Sequence, residues 1–375
     1  MSASVRYELV PVRNPVERFF FTWFFVLIPG VYIVRLPLEY AGYGTLPYAL
    51  HDLAKIAVEL SLLIFLTLAN TFLATVRPTI ASLFSNGVVS RQTGGDGELL
   101  ETQATCEQTI DRLLNHGARI LVAGIVASAT LYYYVARRGD QGVFVSTTSL
   151  LNFLDDMLYF VPTVCSTYFV GIVVWKLFVI SVFFQYFPER YALVPRFLHP
   201  DGACGLLPLG DLCLRMMYVA VIPTVLSALF LLSYFVAPQG IARYVTLNAL
   251  LISGVTPLIL GVGIIGLVIG FLPLFRFHLA IIKYRHEWTE QLKALSERII
   301  AEKAKILRPP EDLKEEHLDF DKVLKTLTEL QSYYESSRKV RMWPVDRGLS
   351  ARIWGSVALL SGQLVALIEI VRKLS

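Results

Sequence analysis

Charge is scarce in this chain: Asp, Glu, Lys and Arg make up only 17% of its 375 residues, whereas 55% are hydrophobic. The mean hydropathy is +0.56. A soluble domain of this length needs far more charge to cover its surface. Cysteine is scarce too, and Cys106, Cys165, Cys204 and Cys213 show no CxxC spacing, so neither a disulfide framework nor a zinc site is expected. The histidines at 51, 116, 199, 278, 286 and 317 are scattered, unlike the clustered histidines of membrane di-iron enzymes. No P-loop, HExxH, GxSxG or paired Asp-rich motif occurs, so the sequence points to no enzyme, cofactor or metal. A net charge of +4 is too small for a nucleic-acid footprint. The first apolar block follows an Arg-containing lead without a small-residue cleavage site, so it is expected to be retained.

What the chain does have is long apolar blocks, each of a length that matches a hydrocarbon core of ~30 Å at ~1.5 Å per helical residue. They fall at 18–34, 52–76, 119–136, 157–187, 211–236 and 248–275 and predict an all-α, polytopic membrane protein with about six transmembrane helices. Pro29-Gly30 makes the first block the least regular, Arg77-Pro78 is expected to end the second, and Pro188 the fourth. The fourth is long enough that it must tilt or project. Aromatic clusters at block ends, Tyr132-Tyr133-Tyr134 and Phe183-Phe184-Gln185-Tyr186-Phe187, predict an interfacial belt. A cytoplasmic N-terminal segment, 1–17, puts Arg6, Arg13, Arg18, Arg77, Arg91, Arg112, Arg190 and Arg196 inside, against Arg35, Arg137, Arg138 and Arg243 outside.

Two segments belong in water. The loop 78–118 has a Gly-rich turn at 93–97 followed by an amphipathic helix carrying Leu99, Leu100, Ile110, Leu113 and Leu114. Residues 277–342 read as a cytoplasmic helical hairpin: Trp288, Leu292, Leu295 and Ile299 recur at helical spacing, Arg308-Pro309-Pro310 interrupts, and Leu318, Val323, Leu324, Leu327, Leu330 and Tyr334 form a second apolar face. The seam packs either within one chain or against neighbouring subunits, where it would set a homo-oligomer. Residues 343–375 contain a last apolar block that either lies along the membrane or makes a seventh span.

Ionisable groups inside spans are costly and mark candidate sites. Asp52, Lys55, Glu59, Thr67 and Asn70 share one stripe of the second span; they either bond locally or line a water-filled path with Glu59 setting ion preference. Lys176 in the fourth span either snorkels to the interface or pairs with Glu59. Gly263, Gly266 and Gly270 share a face of the sixth span, for close helix packing or for an open pore, and Pro257 and Pro273 add candidate hinges. In the loop Phe197-Leu198-His199-Pro200-Asp201-Gly202-Ala203-Cys204-Gly205-Leu206, Pro-Asp-Gly predicts a turn, with metal or catalytic use of His199, Asp201 and Cys204 as the other reading.

The HPDGACGL stretch and the Trp343-Pro344-Val345-Asp346 lead into the last block resemble features of uncharacterised bacterial multi-pass membrane proteins. The resemblance implies a bacterial inner membrane and no particular activity. A polar stripe and a small-residue helix without catalytic motifs point to an oligomeric ion channel or pore, with a stress or phage-defence effector as one cellular role. The alternative is a membrane-anchored sensor or assembly module whose tail recruits a cytoplasmic regulatory protein. A membrane enzyme acting at the HPDG loop ranks third. Expected partners are membrane lipid and further copies of the chain, with no nucleic acid.

Overall fold

The structure, a computed structural model, describes residues 53–89, 103–140, 150–191, 193–196, 199, 201, 203–236 and 245–306, with isolated positions at 30, 34, 37 and between 325 and 365. Its elements are α1 (Leu53–Ser85), α2 (Gln103–Leu114), α3 (Ala118–Asp140), α4 (Leu150–Arg190), α5 (Leu207–Val236) and α6 (Val245–Ile306). The described residues contain no strand beyond an isolated antiparallel bridge between Val89 and Leu193. Five stretches are long and apolar enough to cross a membrane: Ser61–Ser85, Gln103–Tyr132, Val164–Arg190, Leu207–Leu226 and Gly263–Gln291. In the second of these the apolar part is α3, because α2 is a short amphipathic helix that buries only Cys106, Ile110 and Leu114. The first predicted span lies outside the described residues except at Gly30 and Val34, which are helical.

Helix boundaries depart from the sequence pattern where proline was expected to act as a stop. α1 runs through Pro78 to Ser85. Proline removes one ladder bond, but hydroxyls beside it bond helix carbonyls: Thr75 donates to the Phe72 carbonyl at 2.6 Å and Thr79 to the Thr75 carbonyl at 2.8 Å. Neighbouring helices and Thr side chains make such a proline tolerable in an apolar setting. α4 likewise passes Pro188 and ends at Arg190. α6 is one unbroken helix of 62 residues, including Pro257 and Pro273, so no break separates the sixth predicted span from the first arm of the tail. The second arm of the predicted hairpin lies outside the described residues apart from isolated positions.

Small residues set how closely the helices meet. A Cβ added at Gly266 would fall 1.9 Å from the Cβ of Ala220, one at Gly263 would fall 2.7 Å from Thr224 Cγ2, and one at Gly270 would fall 2.4 Å from Met217 Cγ. This register runs α5 and α6 antiparallel, with the glycine face of α6 filled by α5 of the same chain. Gly171 of α4 does the same against α3, where a Cβ would lie 2.5 Å from Ala123 Cα. Polar bonds add to this packing: the Ser181 hydroxyl donates to the Ile269 carbonyl at 2.7 Å and joins α4 to α6.

The aromatic run of α4 is internal rather than a belt. Phe183, Phe184 and Phe187 are buried, and of the run only Tyr186 is exposed. Phe187 stacks on Tyr191 at 4.3 Å and lies 6.0 Å from Phe277 of α6, while Phe84 of α1 meets Tyr191 edge-on at 6.3 Å. Large rings fill the volume where the ends of α1 and α4 meet the middle of α6. Tyr132 of α3 is 75% exposed, and the side chains of Tyr133 and Tyr134 lie outside the described residues.

Overfilling the α5/α6 contact is expected to cost ~1–3 kcal/mol or more. Gly266→Leu should therefore lower the thermal midpoint of the detergent-solubilised protein, whereas Gly124→Ala, where nothing lies within 4 Å, should not. Equal midpoints for the two variants would contradict the packing.

Candidate functional site

The most constructed part of the described chain lies where α1, α4 and α5 end together. α1 stops in the turn Asn86-Gly87-Val88-Val89, with Gly87 at φ 62°. The chain leaving α4 runs beside that turn: the Val194 amide donates to the Val88 carbonyl at 2.7 Å, and Arg196 Nε donates to the Gly87 carbonyl at 3.3 Å. Asn86 Nδ2 reaches the Gly205 carbonyl at 3.2 Å. A Cβ at Gly205 would sit 2.5 Å from Val88 Cγ2, so only glycine lets the two turns approach this closely. Together these contacts form a clamp that ties the end of α1 to the loop before α5.

Asp201 holds that loop in shape. Its Oδ1 accepts the amides of Ala203 at 2.9 Å and Gly205 at 3.0 Å, and its Oδ2 accepts the amide of Leu207, the first residue of α5, at 3.3 Å. A carboxylate wrapped by amides, at the positive end of a helix, is a favoured arrangement. The loop reaches it by placing Cys204 at φ 60° and Gly205 at φ 83°. A non-glycine residue in this region stores ~1–3 kcal/mol, which the surrounding contacts must over-determine.

His199 Nδ1 lies 3.0 Å from Asp201 Oδ1 and 3.4 Å from the Asp201 amide. The two contacts need opposite proton states on that nitrogen, and the shorter one, to a carboxylate, takes the proton on Nδ1. Burial alone pushes the Asp201 carboxyl up, but the bonds from Gly205, Ala203, His199 and Leu207 together outweigh it and hold the group below the ordinary Asp value. Burial and the nearby Asp201 charge push the Cys204 thiol up to about 12, so it stays protonated and unreactive near neutrality.

Beside the clamp is a cleft of about 420 Å³ lined by Asn86, His199, Asp201, Leu207, Pro208, Asp211, Gly348 and Arg352. Asp211 also pairs with Arg215 one turn along α5, at 2.7 Å. Two further ion pairs flank this end of the bundle, Arg77 with Asp111 and Arg276 with Glu189 at 3.6 Å.

No protein family, curated protein or solved structure matches this chain. The clamp must therefore be understood from its own chemistry. Asp201 is occupied by the backbone, Cys204 is 1% exposed, and no group of three His, Cys, Asp or Glu is placed to hold a metal among the described residues. The arrangement fastens helix ends, and it holds no described nucleophile and base in contact.

The sequence-predicted residues scatter over the rest of the structure. Lys176 is 1% exposed on the inward face of α4 with Ile172, Val173 and Ile180, so it does not snorkel to the interface. Lys55 and Glu59 are on α1, but their side chains, and all of Asp52, lie outside the described residues, as does a Lys176–Glu59 pair. Thr67 is exposed and Asn70 half-buried. Gly263, Gly266 and Gly270 pack on α5, which leaves no space for a path on that face. Trp288 is half-buried on α6, while the side chains of Leu292, Leu295 and Ile299 lie outside the described residues. Sequence reasoning did not single out Asn86, Gly87, Arg196, Asp211 and Arg352 as site residues; the Asn-Gly dipeptide is a turn signal that could have pointed to the first two.

Asp201→Ala strands three amides and removes a helix-start acceptor, a loss of ~0.5–2 kcal/mol per cap. It should lower the thermal midpoint and raise the labelling rate of Cys204 by a thiol reagent at neutral pH. In the wild type a depressed carboxyl contributes stability that is full above the ordinary Asp value and is lost as pH falls through the folded value. Hydrogen exchange at the Gly205 and Leu207 amides should accordingly lose protection only on acidification below the usual Asp range, and Asp201→Asn should abolish that pH dependence.

Proposed function

We propose that this protein is an oligomeric ion channel of a bacterial inner membrane, with a cytoplasmic N-terminus. One observation carries the reading. On the apolar crossing stretch of α1, the exposed positions are Thr67, Thr71, Ala74, Arg77, Pro78 and Ser85, with no bulky apolar side chain among them. The outward positions of α3, α4 and α6 do include large apolar side chains: Ile120, Leu121 and Ile125 on α3, Val174 and Phe178 on α4, and Ile264, Ile265, Val268, Phe271 and Leu272 on α6. Thr67 and Thr71 turn their hydroxyls back to the Leu63 and Leu68 carbonyls at 2.8 Å. The face is therefore small and polar but internally satisfied, suited to a symmetry axis between copies and to a water-filled path along it. With the glycine face of α6 occupied by α5, α1 supplies the path, and the unbroken α6 links the membrane part to the tail that receives a signal.

A second reading, a membrane-anchored module recruiting a protein through its tail, draws on the exposed apolar Ile300, at 63%, beyond the crossing part of α6.

The full-length protein carrying Thr71→Cys should form disulfide-linked oligomers in membranes, and the wild type should conduct ions in planar bilayers. Thr71→Leu should cut unit conductance several-fold without unfolding the protein. A monomeric, non-conducting protein sinks the channel reading, and loss of cellular function on deleting the tail with conductance intact would favour recruitment.

A further inference from the structure

We propose that Arg77 makes the path along α1 selective for small anions, an inference that rests on the channel reading above. From Leu60 to the end of α1 at Ser85, Arg77 is the single ionisable side chain. It is exposed, and on the helix it stands next to Ala74, at the edge of the face that Thr67, Thr71, Ala74 and Pro78 present outward. It lies about two helical turns before the end of α1. With the N-terminus cytoplasmic, that level is the inner mouth of the path.

Its counter-ion is set behind it. Arg77 Nη2 donates to Asp111 Oδ2 of α2, and the Arg77 side chain is 53% exposed against 27% for Asp111. An ion moving along the outer face therefore meets the guanidinium before the carboxylate. The α2 end that carries Asp111 is itself held in place: Asn115 Nδ2 donates to the Asp111 carbonyl at 2.9 Å, Arg119 Nη1 donates to Asn115 Oδ1 at 2.9 Å, and Cys106, Ile110 and Leu114 are buried against the bundle. The pair thus holds the arginine head in one place instead of leaving a long side chain to sweep the solvent.

Around an axis lined by α1, every copy contributes one guanidinium, and a ring of such charges favours anions over cations. Asp111 offsets part of the repulsion between like charges in that ring. The Thr67 and Thr71 hydroxyls donate to carbonyls of their own helix and bring no competing charge. Glu59, the nearest other ionisable residue along α1, is ~27 Å away at the rise of a helix, several times the ~8 Å screening length.

Reversal potentials of the full-length protein in planar bilayers, under a gradient of potassium chloride, test this assignment. The wild type should reverse towards the chloride potential, with chloride several-fold more permeant than potassium, and the preference should weaken as ionic strength rises. Arg77→Gln should bring the reversal close to zero, Arg77→Glu should move it towards the potassium potential, and Asp111→Asn should strengthen the anion preference. Arg77→Lys should keep it, because charge and not guanidinium shape is what counts. Folding defects are separated from charge effects in a Cys165→Ser background, where Cys106, Cys204 and Cys213 are buried. There Arg77→Cys should regain anion preference with a cationic methanethiosulfonate and turn to cation preference with an anionic one. A wild type that prefers potassium, or reversal potentials that neither substitution nor reagent moves, as when Arg77 meets only lipid phosphate, overturns the proposal and leaves the channel reading standing. A wild type without conductance overturns both.

Discussion

The Asp201 carboxylate is the point on which this end of the molecule depends. It gathers amides from Ala203, Gly205 and Leu207, and in doing so it both shapes the loop and starts α5. The loop so shaped presents the Gly205 carbonyl to Asn86, while the preceding strand of chain bonds Val88 and Gly87. The wrapped carboxylate shares with the Arg196 amide, which donates to the Cys204 carbonyl at 3.2 Å, the task of holding the positive φ at Cys204. The ends of α1, α4 and α5 are consequently fixed to one another by polar contacts outside the apolar bundle, and the Phe187–Tyr191 stack closes the volume beneath.

Within the bundle a different rule governs. Apolar side chains gain little by leaving lipid for protein, so closeness of approach decides which helices pair. Gly266 against Ala220 and Gly171 against Ala123 give two such approaches, and each excludes any larger side chain. Lys176 stands out because it is carried into this interior rather than kept at its margin. A charge placed there is expensive and points to a specific environment on the inner face of α4.

Much of the helical architecture was legible from composition and block length. The apolar blocks at 119–136, 157–187, 211–236 and 248–275 overlap α3, α4, α5 and α6, and Pro-Asp-Gly did mark a turn at Asp201. Boundaries were less legible, because Pro78 and Pro188 sit inside helices that run on past them, Pro78 with Thr75 and Thr79 hydroxyls bonded to nearby carbonyls. The site was legible only in part. His199, Asp201 and Cys204 stand close along the chain, but that Asp201 serves backbone amides while Cys204 is sealed and protonated depends on the path of the loop.

What the sequence alone determined is what depends on chain-local quantities: helix, apolar length, and a turn after His199, all set by side-chain type and spacing along a few residues. Which face of each helix turns inward is a pairwise question that spacing leaves open. Tertiary structure decided it, by placing α5 on the glycines of α6, burying Lys176, leaving Thr67 and Thr71 outward, and bringing Arg352 to a loop some 150 residues earlier in the chain. Contacts of that separation are selected by the fit between surfaces and by the need to satisfy polar groups away from water, and neither is written in any one segment.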